Sequence, residues 1–418
     1  MAGLRHLRTF QRIALMAILS LAALGMASAL DAPALERALA SPADWKSPAF
    51  VEAWQRDPLD TSAPVSRAIL PDEITLFGFR PDTVAARFLA SGEVHSISIV
   101  ALDAGNFFGF NNTNLRASET FEAAKARFDA EFSSRKQQLQ DGLRKLGAQS
   151  QGELNLGERS GLKLRAQLWK GGGVVARVIS QEHQLLQADF FRSEPEARTL
   201  LARPIAAAAE PRHASPLASL QSRSTSTATA AGPERRIASL PMLAQGNRAY
   251  CGVAILAMVA HHFGLTLGAE ELAMANGFQY GIDGNPDIRE MFSQVAREGG
   301  MKAQRAPRLD TNLMKRALDA GMPVVVFRRW SQERDYLHSM YSAKLARGEK
   351  AELPVPGIED RKSWPGKDAP AHASIINGYR DDRREAVFTE SWGPQARNRR
   401  MRFEELEATS YYAIYFSK

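Results

Sequence analysis

Residues 245–264 read QGNRAYCGVAILAMVAHHFG and contain the single cysteine of the 418-residue chain. Every residue from Val253 to Ala260 is apolar, so a helix here has no polar face and must be buried on all sides. Gly264 is a residue type that ends such a helix. Cys251 then falls in the first turn, where unpaired N–H groups and the helix dipole favour an anion. The stretch therefore predicts a buried helix that begins at a thiol of lowered pKa.

A single cysteine leaves three readings open, because it cannot form a disulfide within its own chain. It can be a buried filler, since free cysteine packs as a small hydrophobic residue. It can link two molecules, or it can be a reactive thiol. The residues around Cys251 and further along the chain have to decide between these readings.

The first 29 residues have the pattern of a secretory signal peptide. Arg5, Arg8 and Arg12 occur with no acidic residue, the apolar run Ile13–Leu24 follows, and Ala27-Ser28-Ala29 forms a small-residue cleavage site. The run holds about 12 apolar residues, whereas a membrane span needs about 20. We therefore expect cleavage after Ala29 and a secreted or periplasmic mature protein without a stable membrane insertion.

Length and composition predict two domains, and the order of the predicted helices and strands predicts an α+β fold. Residues 30–204 show a strand at Val94–Leu102, a helix at Thr120–Leu146 and a hairpin at Leu162–Gln181, which together predict an N-terminal α+β domain of unknown role. Residues 205–236 are rich in Ala, Ser, Thr and Pro, a composition that predicts a disordered linker. Residues 237–418 form the second predicted domain. Its predicted helices are Asp287–Glu298 and Asn312–Ala320, and its predicted strands are Pro323–Phe327, Ala373–Tyr379, Ala386–Glu390 and Tyr411–Phe416.

Charge and ligand spacing argue against nucleic-acid and metal-dependent functions. Removal of the three arginines of the signal peptide lowers the formal charge from +7 to +4, which is a weak reason to expect nucleic acid as a partner. One cysteine and scattered histidines offer no ligand spacing for a metal, and no phosphate-binding glycine loop follows a strand. We expect no cofactor, and the oligomeric state stays open.

A reactive Cys251 needs a base, and the base needs an orienting group. His372 stands immediately ahead of a predicted strand, and Glu390 ends the next one. If the two strands pair so that Glu390 lies opposite Ser374, then Glu390 and His372 are diagonal neighbours on one face. A slip of one residue would place them on opposite faces. Gln245, six residues before Cys251, carries an amide that can donate to an oxyanion, with the Cys251 N–H as second donor.

These residues resemble the papain-like cysteine peptidase superfamily. The Gln245-to-Cys251 spacing, Cys251-Gly252, His372 before a strand and the stretch Glu390-Ser391-Trp392-Gly393 carry the resemblance. The Cys-Gly-x-Ala start, ALDAGMPVVVF at 317–327 and His-Ala-x-x-Ile-x-Gly-Tyr are similar to the branch of bacteriocin-leader (double-glycine) peptidase-like domains. The resemblance covers about 237–418.

The resemblance implies a two-lobed papain-like domain, with a helical lobe and an antiparallel sheet lobe. It implies Cys251 as nucleophile, His372 as general base and acid, Glu390 as orienting group and Gln245 as oxyanion donor. Gly252 and Trp392 would contact the substrate, and Trp392 would also shield the imidazole–carboxylate contact from water. The superfamily commonly has Asn or Asp as orienting residue, so Asp381 and Asp382 stay alternatives to Glu390.

The sequence thus predicts an exported cysteine peptidase that hydrolyses peptide bonds through a thioester intermediate. Double-glycine specificity is not implied, because it belongs to domains fused to transporters. A peptide-binding module without catalysis and an acyl transferase with an amine acceptor stay open as alternatives. The partner is in each case a peptide or protein.

Overall fold

The computed structural model describes residues 30–56, 63–202, 224–229, 232–278 and 287–418. The predicted signal peptide, residues 1–29, lies outside the described residues, as does most of the predicted linker. Within the described ranges, no helix is both long enough and apolar enough to cross a membrane.

The first half of the chain is built on an antiparallel sheet of seven strands in the order β1-β2-β3-β7-β6-β5-β4. The strands are β1 (Val65–Ile69), β2 (Thr83–Leu89), β3 (Val94–Asp103), β4 (Gln149–Leu156), β5 (Leu164–Gly171), β6 (Val174–Gln181) and β7 (Leu185–Phe191). The helices are α1 (Ala32–Ala40), α2 (Pro48–Glu52), α3 (Ala104–Phe108), α4 (Phe121–Lys145) and α5 (Glu194–Ala197), with 3-10 turns at Pro42–Lys46 and Phe110–Asn112. The predicted strand, helix and hairpin are thereby confirmed.

Helix α4 shows how local sequence sets these boundaries. The Thr120 hydroxyl accepts a hydrogen bond from the Ala123 N–H at 3.2 Å, which caps the first turn. The helix buries Phe128, Phe132, Leu139 and Leu143 in the core of the first sheet. It ends before Gly147, whose φ of +84° is the left-handed conformation that glycine adopts most readily.

The second half is built on an antiparallel sheet in which six strands follow the order β10-β15-β11-β12-β13-β14. These strands are β10 (Lys302–Ala306), β11 (Val324–Arg329), β12 (Ala371–Arg380), β13 (Glu385–Thr389), β14 (Arg399–Arg402) and β15 (Ser410–Ser417). The helices are α6 (Cys251–His262), α7 (Ala269–Ala275), α8 (Arg289–Glu298), α9 (Thr311–Asp319), α10 (Gln332–Ala346), α11 (Ile358–Lys362) and α12 (Phe403–Thr409), with a 3-10 turn at Pro394–Ala396. The mixed α and β composition with antiparallel sheets is confirmed, whereas the division of this half into two lobes stays a prediction.

Part of the segment predicted as a disordered linker forms two strands instead. Strands β8 (Ser224–Thr229) and β9 (Gly232–Ile237) form a hairpin, and β9 pairs with Gly378–Arg380 of β12. Strand β12 extends past the end of its partner β11, so this stretch would otherwise present unpaired N–H and C=O groups. The approach is close, because a Cβ on Gly378 would lie 2.6 Å from the Arg235 carbonyl oxygen.

The two halves share one core. A single hydrophobic cluster joins Leu164 and Leu168 of β5 to Ile255 and Leu256 of α6. Beside it lies a buried ion cluster, in which Arg87 of β2 binds Asp189 of β7 at 3.0 Å and Glu271 of α7 at 2.9 Å. The two sheets are distinct, but the core between them is common. That residues 30–204 form a separate domain therefore stays a prediction.

Candidate active site

Cys251 is the first residue of α6, and the apolar run behind it is buried, as predicted. Burial of the thiol raises its pKa, while the hydrogen bond and the positive charge of His372 lower it, and the balance lies below the ordinary value. The backbone of Gly252 also bonds to the sulfur and lowers the pKa. A helix N-terminus favours the same ionised form. Cys251 therefore has the surroundings of a thiolate rather than of an inert core thiol.

His372, the second residue of β12, joins the thiol to a carboxylate. Its Nε2 lies 2.7 Å from Glu390 Oε2, and its side chain also hydrogen-bonds Cys251. The imidazole has two ring nitrogens, so the bond to Cys251 falls to Nδ1. Burial lowers the pKa of His372, but the charge of Glu390 and the bond to Cys251 outweigh burial and raise it to about 9. The geometry favours an imidazolium beside a thiolate.

The register of β12 and β13 is the one on which the predicted site depends. Ile375 pairs with Thr389, which places Glu390 across from Ser374. The Ser374 hydroxyl donates to Glu390 Oε1 at 2.8 Å. Because alternate residues of a strand share a face, His372 and Ser374 both point toward Glu390. A slip of one residue would have separated them.

Asp381 and Asp382, the alternatives to Glu390, lie in the turn at the opposite end of β12 from His372. Asp381 forms an ion pair with Lys315, and Asp382 binds Arg380 with Oδ2 at 2.6 Å. The structure brings neither of them to the imidazole. Among these three carboxylates, Glu390 alone contacts His372.

Arg328 is part of this cluster and was missed in the sequence. It lies opposite His372 on β11, and its Nη2 donates to Glu390 Oε1 at 2.7 Å. Its Nε donates to the Ser374 hydroxyl at 3.0 Å, and the side chain is 2% exposed. Burial raises the pKa of Glu390, but the charges of His372 and Arg328 lower it to about 2. A signal was present, since an arginine that continues a buried PVVVF strand must have a partner.

Trp392 covers the imidazole. Its ring stacks on His372 with centroids 4.6 Å apart and an angle of 26° between the planes. The ring of Trp330 packs against that of Trp392, with centroids 6.0 Å apart. Gly252 lies beside the sulfur, where a Cβ would come within 3.1 Å of Ile288 Cγ2. Trp392 and Gly252 thus lie beside the Cys251–His372 pair, and their contact with a substrate stays a prediction.

Gln245 lies next to the same cluster, because it binds Ser391, the residue that follows Glu390. Its N–H donates to the Ser391 carbonyl at 2.7 Å, and its Oε1 accepts from the Ser391 hydroxyl at 2.6 Å. Its Nε2 donates to the Arg248 carbonyl at 3.0 Å. An amide nitrogen carries two protons, so this bond leaves one for another acceptor. The role of oxyanion donor stays a prediction.

A cleft lies between the two halves and is lined by residues that are close in sequence to Gln245 and Trp392. It encloses about 780 Å³. One wall follows the chain just before Gln245 and just after Trp392, with Met242, Leu243, Ala244, Pro394 and Arg397. The other wall comes from β1, β2 and the segment that joins them, with Ile69, Leu70 and Ile74 among its residues. Both halves of the chain thus border this cleft, and its lining includes the chain neighbours of Gln245 and Trp392 rather than Cys251 or His372 themselves.

The described residues hold no group of three or more His, Cys, Asp or Glu side chains that is arranged to bind a metal. The polar side chains around Cys251 bind one another instead.

Comparison with known proteins finds a family similarity in the second half of the chain. The model of the Peptidase_C39 like family matches residues 237–418, and no curated protein matches the chain. A crystal structure of a C39-like peptidase from Bacillus anthracis is 16% identical, with 44% of this chain and 98% of that chain covered and a TM-score of 0.30. The peptidase domain of Streptococcus ComA, a bifunctional ABC transporter involved in a quorum sensing pathway, is 16% identical, with 42% and 96% covered and a TM-score of 0.27. The family match confirms, over residues 237–418, the resemblance to the papain-like bacteriocin-leader peptidase branch.

Proposed function

We propose that this protein is an exported cysteine peptidase that hydrolyses peptide bonds through Cys251, His372 and Glu390. The observation that carries the proposal is the continuous hydrogen-bonded series from thiol to imidazole to buried carboxylate, with His372 Nε2 2.7 Å from Glu390 Oε2. A nucleophile, a base and an orienting group in contact are the arrangement that covalent catalysis requires. The family match supports the same reading.

The reaction would start when the Cys251 thiolate attacks the carbonyl carbon of a peptide bond and forms a C–S bond. The carbonyl oxygen becomes an oxyanion, for which the Gln245 amide and the Cys251 N–H are the donors. The imidazolium of His372 then gives its Nδ1 proton to the leaving amine as the C–N bond breaks. Water attacks the resulting thioester, His372 takes a proton from that water, and the carboxylate product leaves Cys251 free.

Glu390 would hold the imidazole in the orientation this sequence of steps needs. Because Glu390 Oε2 accepts from Nε2, the proton that moves stays on Nδ1, which faces Cys251. Arg328 and Ser374 occupy the other carboxylate oxygen, so the carboxylate cannot rotate without losing two bonds. The stacked Trp392 would keep water from the imidazole–carboxylate contact and so strengthen it.

The substrate would enter along the cleft between the two halves, which is bordered by apolar side chains such as Ile69, Leu70 and Met242. An extended peptide is the class of ligand that such an open groove accommodates. The signal peptide would be removed after Ala29 during export. Edman sequencing of the protein recovered from the medium or periplasm tests that part of the proposal. A first residue of Leu30 is expected.

The first experiment is the pH dependence of alkylation by iodoacetamide in the folded mature protein and in His372→Ala. Every adduct on a thiol reports on Cys251, because the chain has no other cysteine. Wild type should react at a pH well below the ordinary thiol pKa of about 8.5, and the variant should lose this reactivity. Reaction only above that pH, or only after unfolding, would contradict catalysis and favour a peptide-binding module.

The second experiment separates hydrolysis from acyl transfer. A library of internally quenched peptides is incubated with the wild type and with Cys251→Ala, each with and without added glycinamide. Cleavage by the wild type in water alone supports a peptidase. Product that forms only with glycinamide supports an amine-accepting acyl transferase.

A further inference from the structure

The loop that joins Gln245 to Cys251 is held from outside the Peptidase_C39-like part of the chain. We call residues 245–250 the Gln–Cys loop. The Asn247 amide donates from Nδ2 to Thr113 Oγ1 at 3.1 Å and to Asn114 Oδ1 at 2.9 Å. The Asn247 carbonyl accepts from the Phe110 N–H at 3.0 Å. Three bonds thus fix the middle of the loop to the turn that follows α3.

Arg248 makes a second set of contacts that hold the loop. Its Nη1 lies 3.5 Å from Asp103 Oδ2, at the end of β3, and 2.8 Å from Glu270 Oε1 on α7. The neighbouring Tyr250 donates its hydroxyl to Asp103 Oδ1 at 3.3 Å. Asp103 therefore contacts the loop at two residues, one of which directly precedes Cys251.

Arg248 links these contacts to Gln245. Its Nε donates to the Gln245 carbonyl at 2.7 Å, and its own carbonyl accepts from Gln245 Nε2 at 3.0 Å. The two bonds fix both the backbone and the side-chain amide of Gln245. The direction of the amide, on which an oxyanion donor depends, is thus set by Ser391 together with Arg248, and Arg248 is held by Glu270 and Asp103.

Asp103 is itself immobilised. Its carboxylate is 4% exposed and accepts from the N–H groups of Gly105 at 3.0 Å and Asn106 at 3.1 Å, as the cap of α3. The loop, in contrast, has no helix or strand of its own, and Gly246 adopts a φ of +61°. A loop without regular structure takes its conformation from such outside contacts, and a displacement of about 1 Å in a catalytic group can cost about 100-fold in rate.

We propose that the first half of the chain is a working part of the active site, in which Asp103 and the turn at 110–114 position the Gln–Cys loop for oxyanion stabilisation. Asp103 is a positioning residue, since it acts through Arg248 and Tyr250. The inference rests on the proposed function of Cys251 and gives the unassigned residues 30–202 a role in it. Without these contacts, Cys251 would keep its thiolate but lose the donor that stabilises addition to a carbonyl.

Two reagents distinguish ionisation of the Cys251 thiol from stabilisation of an oxyanion, and neither requires knowledge of the substrate. Iodoacetamide alkylates the thiolate by displacement of iodide, and no oxyanion forms. p-Nitrophenyl acetate acylates the same sulfur through a tetrahedral oxyanion: a C–S bond forms, the ester C–O bond breaks, and p-nitrophenolate leaves with the electron pair. The ratio of the acylation rate to the alkylation rate therefore reports on oxyanion stabilisation alone. The rates measured in Cys251→Ala are subtracted to remove reaction at lysines.

The variants are Asp103→Asn and Asn247→Ala in the full mature chain, with Asp141→Asn as control. Asp103→Asn removes the charge that faces Arg248, and Asn247→Ala removes an exposed side chain that donates to Thr113 and Asn114. Asp141 lies on the exposed side of α4, where it pairs with Arg144. Thermal midpoints are measured for all three, so that loss of fold is recognised.

Asp103→Asn and Asn247→Ala should both keep the alkylation rate within about twofold of wild type and lose about tenfold in acylation. This is a fraction of the 10²- to 10³-fold that removal of a whole oxyanion donor costs. The control should match wild type in both reactions. Unchanged acylation in the two variants, or an equal fall in both rates, would overturn the positioning role while the peptidase proposal stands. A wild-type thiol that reacts with neither reagent in the folded protein would overturn both proposals.

Discussion

Replacement of Glu390 by Gln tests whether the buried carboxylate sets the protonation of the Cys–His pair. Arg328 Nη2 and the Ser374 hydroxyl both donate to Glu390 Oε1, at 2.7 and 2.8 Å. In Glu390→Gln, the amide oxygen must take this position, because an NH₂ group there would face two donors. The NH₂ group then points at His372 Nε2, which has to accept. The imidazole proton is thereby confined to Nδ1, which faces Cys251.

The size of the effect follows from the two pKa values. The charge of Glu390 contributes to the rise of the His372 pKa to about 9, and the imidazolium in turn lowers the pKa of Cys251. Without the carboxylate charge, burial is opposed less: it lowers the pKa of the imidazole, and a less charged imidazole lowers the pKa of the thiol less. A thiol at its ordinary pKa is only a few per cent ionised at pH 7, so the alkylation rate should fall by about 10- to 100-fold.

The chain supplies a matched control for this substitution. Glu405 is a second buried carboxylate that binds a histidine and an arginine: it accepts from His338 Nε2 at 3.1 Å and from Arg334 Nε at 2.8 Å. Glu405→Gln should lower stability to a similar extent and leave the reactivity of Cys251 unchanged. The assay is the rate of iodoacetamide incorporation between pH 5 and 10, by mass spectrometry. A Glu390→Gln protein with the wild-type pH profile would refute the assignment of Glu390 as orienting group.

Three further predictions concern the same cluster. Arg328→Met removes one partner of a buried ion pair, so urea denaturation should show a loss of about 3 kcal/mol in the free energy of unfolding; an unchanged midpoint would contradict this. The imidazolium of His372 is present below a pKa of about 9 and lost above it. Peptide hydrolysis should therefore fall as the pH rises through 9, because the leaving amine is no longer protonated. Alkylation needs only the thiolate and should not fall. Parallel loss of both rates would count against His372 as proton donor. Trp392→Leu admits water to the contact between His372 and Glu390, which should lower the His372 pKa in a ¹⁵N NMR titration; a titration at the wild-type pH would show that Trp392 does not shield this contact.

Much of this site follows from features that lie close together in the sequence. The uninterrupted apolar run at 253–260 fixes a buried helix and leaves Cys251 at its start. The strand pattern around a short turn brings His372 and Glu390 together, because one of two registers places them on one face. These are local rules of periodicity and pairing, and the structure follows them.

The remainder depends on contacts between distant parts of the chain. Asn247 and Thr113 are 134 residues apart, and nothing in either stretch indicates the other. Arg328 reaches Glu390 across 62 residues, and the charge alone does not reveal which carboxylate it meets. The strand β9 was predicted as disordered from its composition, because the exposed edge of β12 that it covers exists only in the folded sheet. Tertiary context overrides composition at these positions.

The common core of the two halves makes this chain resemble a heterodimer whose subunits are joined end to end. The ion cluster of Arg87, Asp189 and Glu271 is fully buried between them, and Glu271 would lose the charge of Arg87 in the second half alone. A polypeptide cut between residues 203 and 223 would therefore stay together as a non-covalent complex. The covalent connection would then serve mainly to keep the local concentration of one half around the other high during folding.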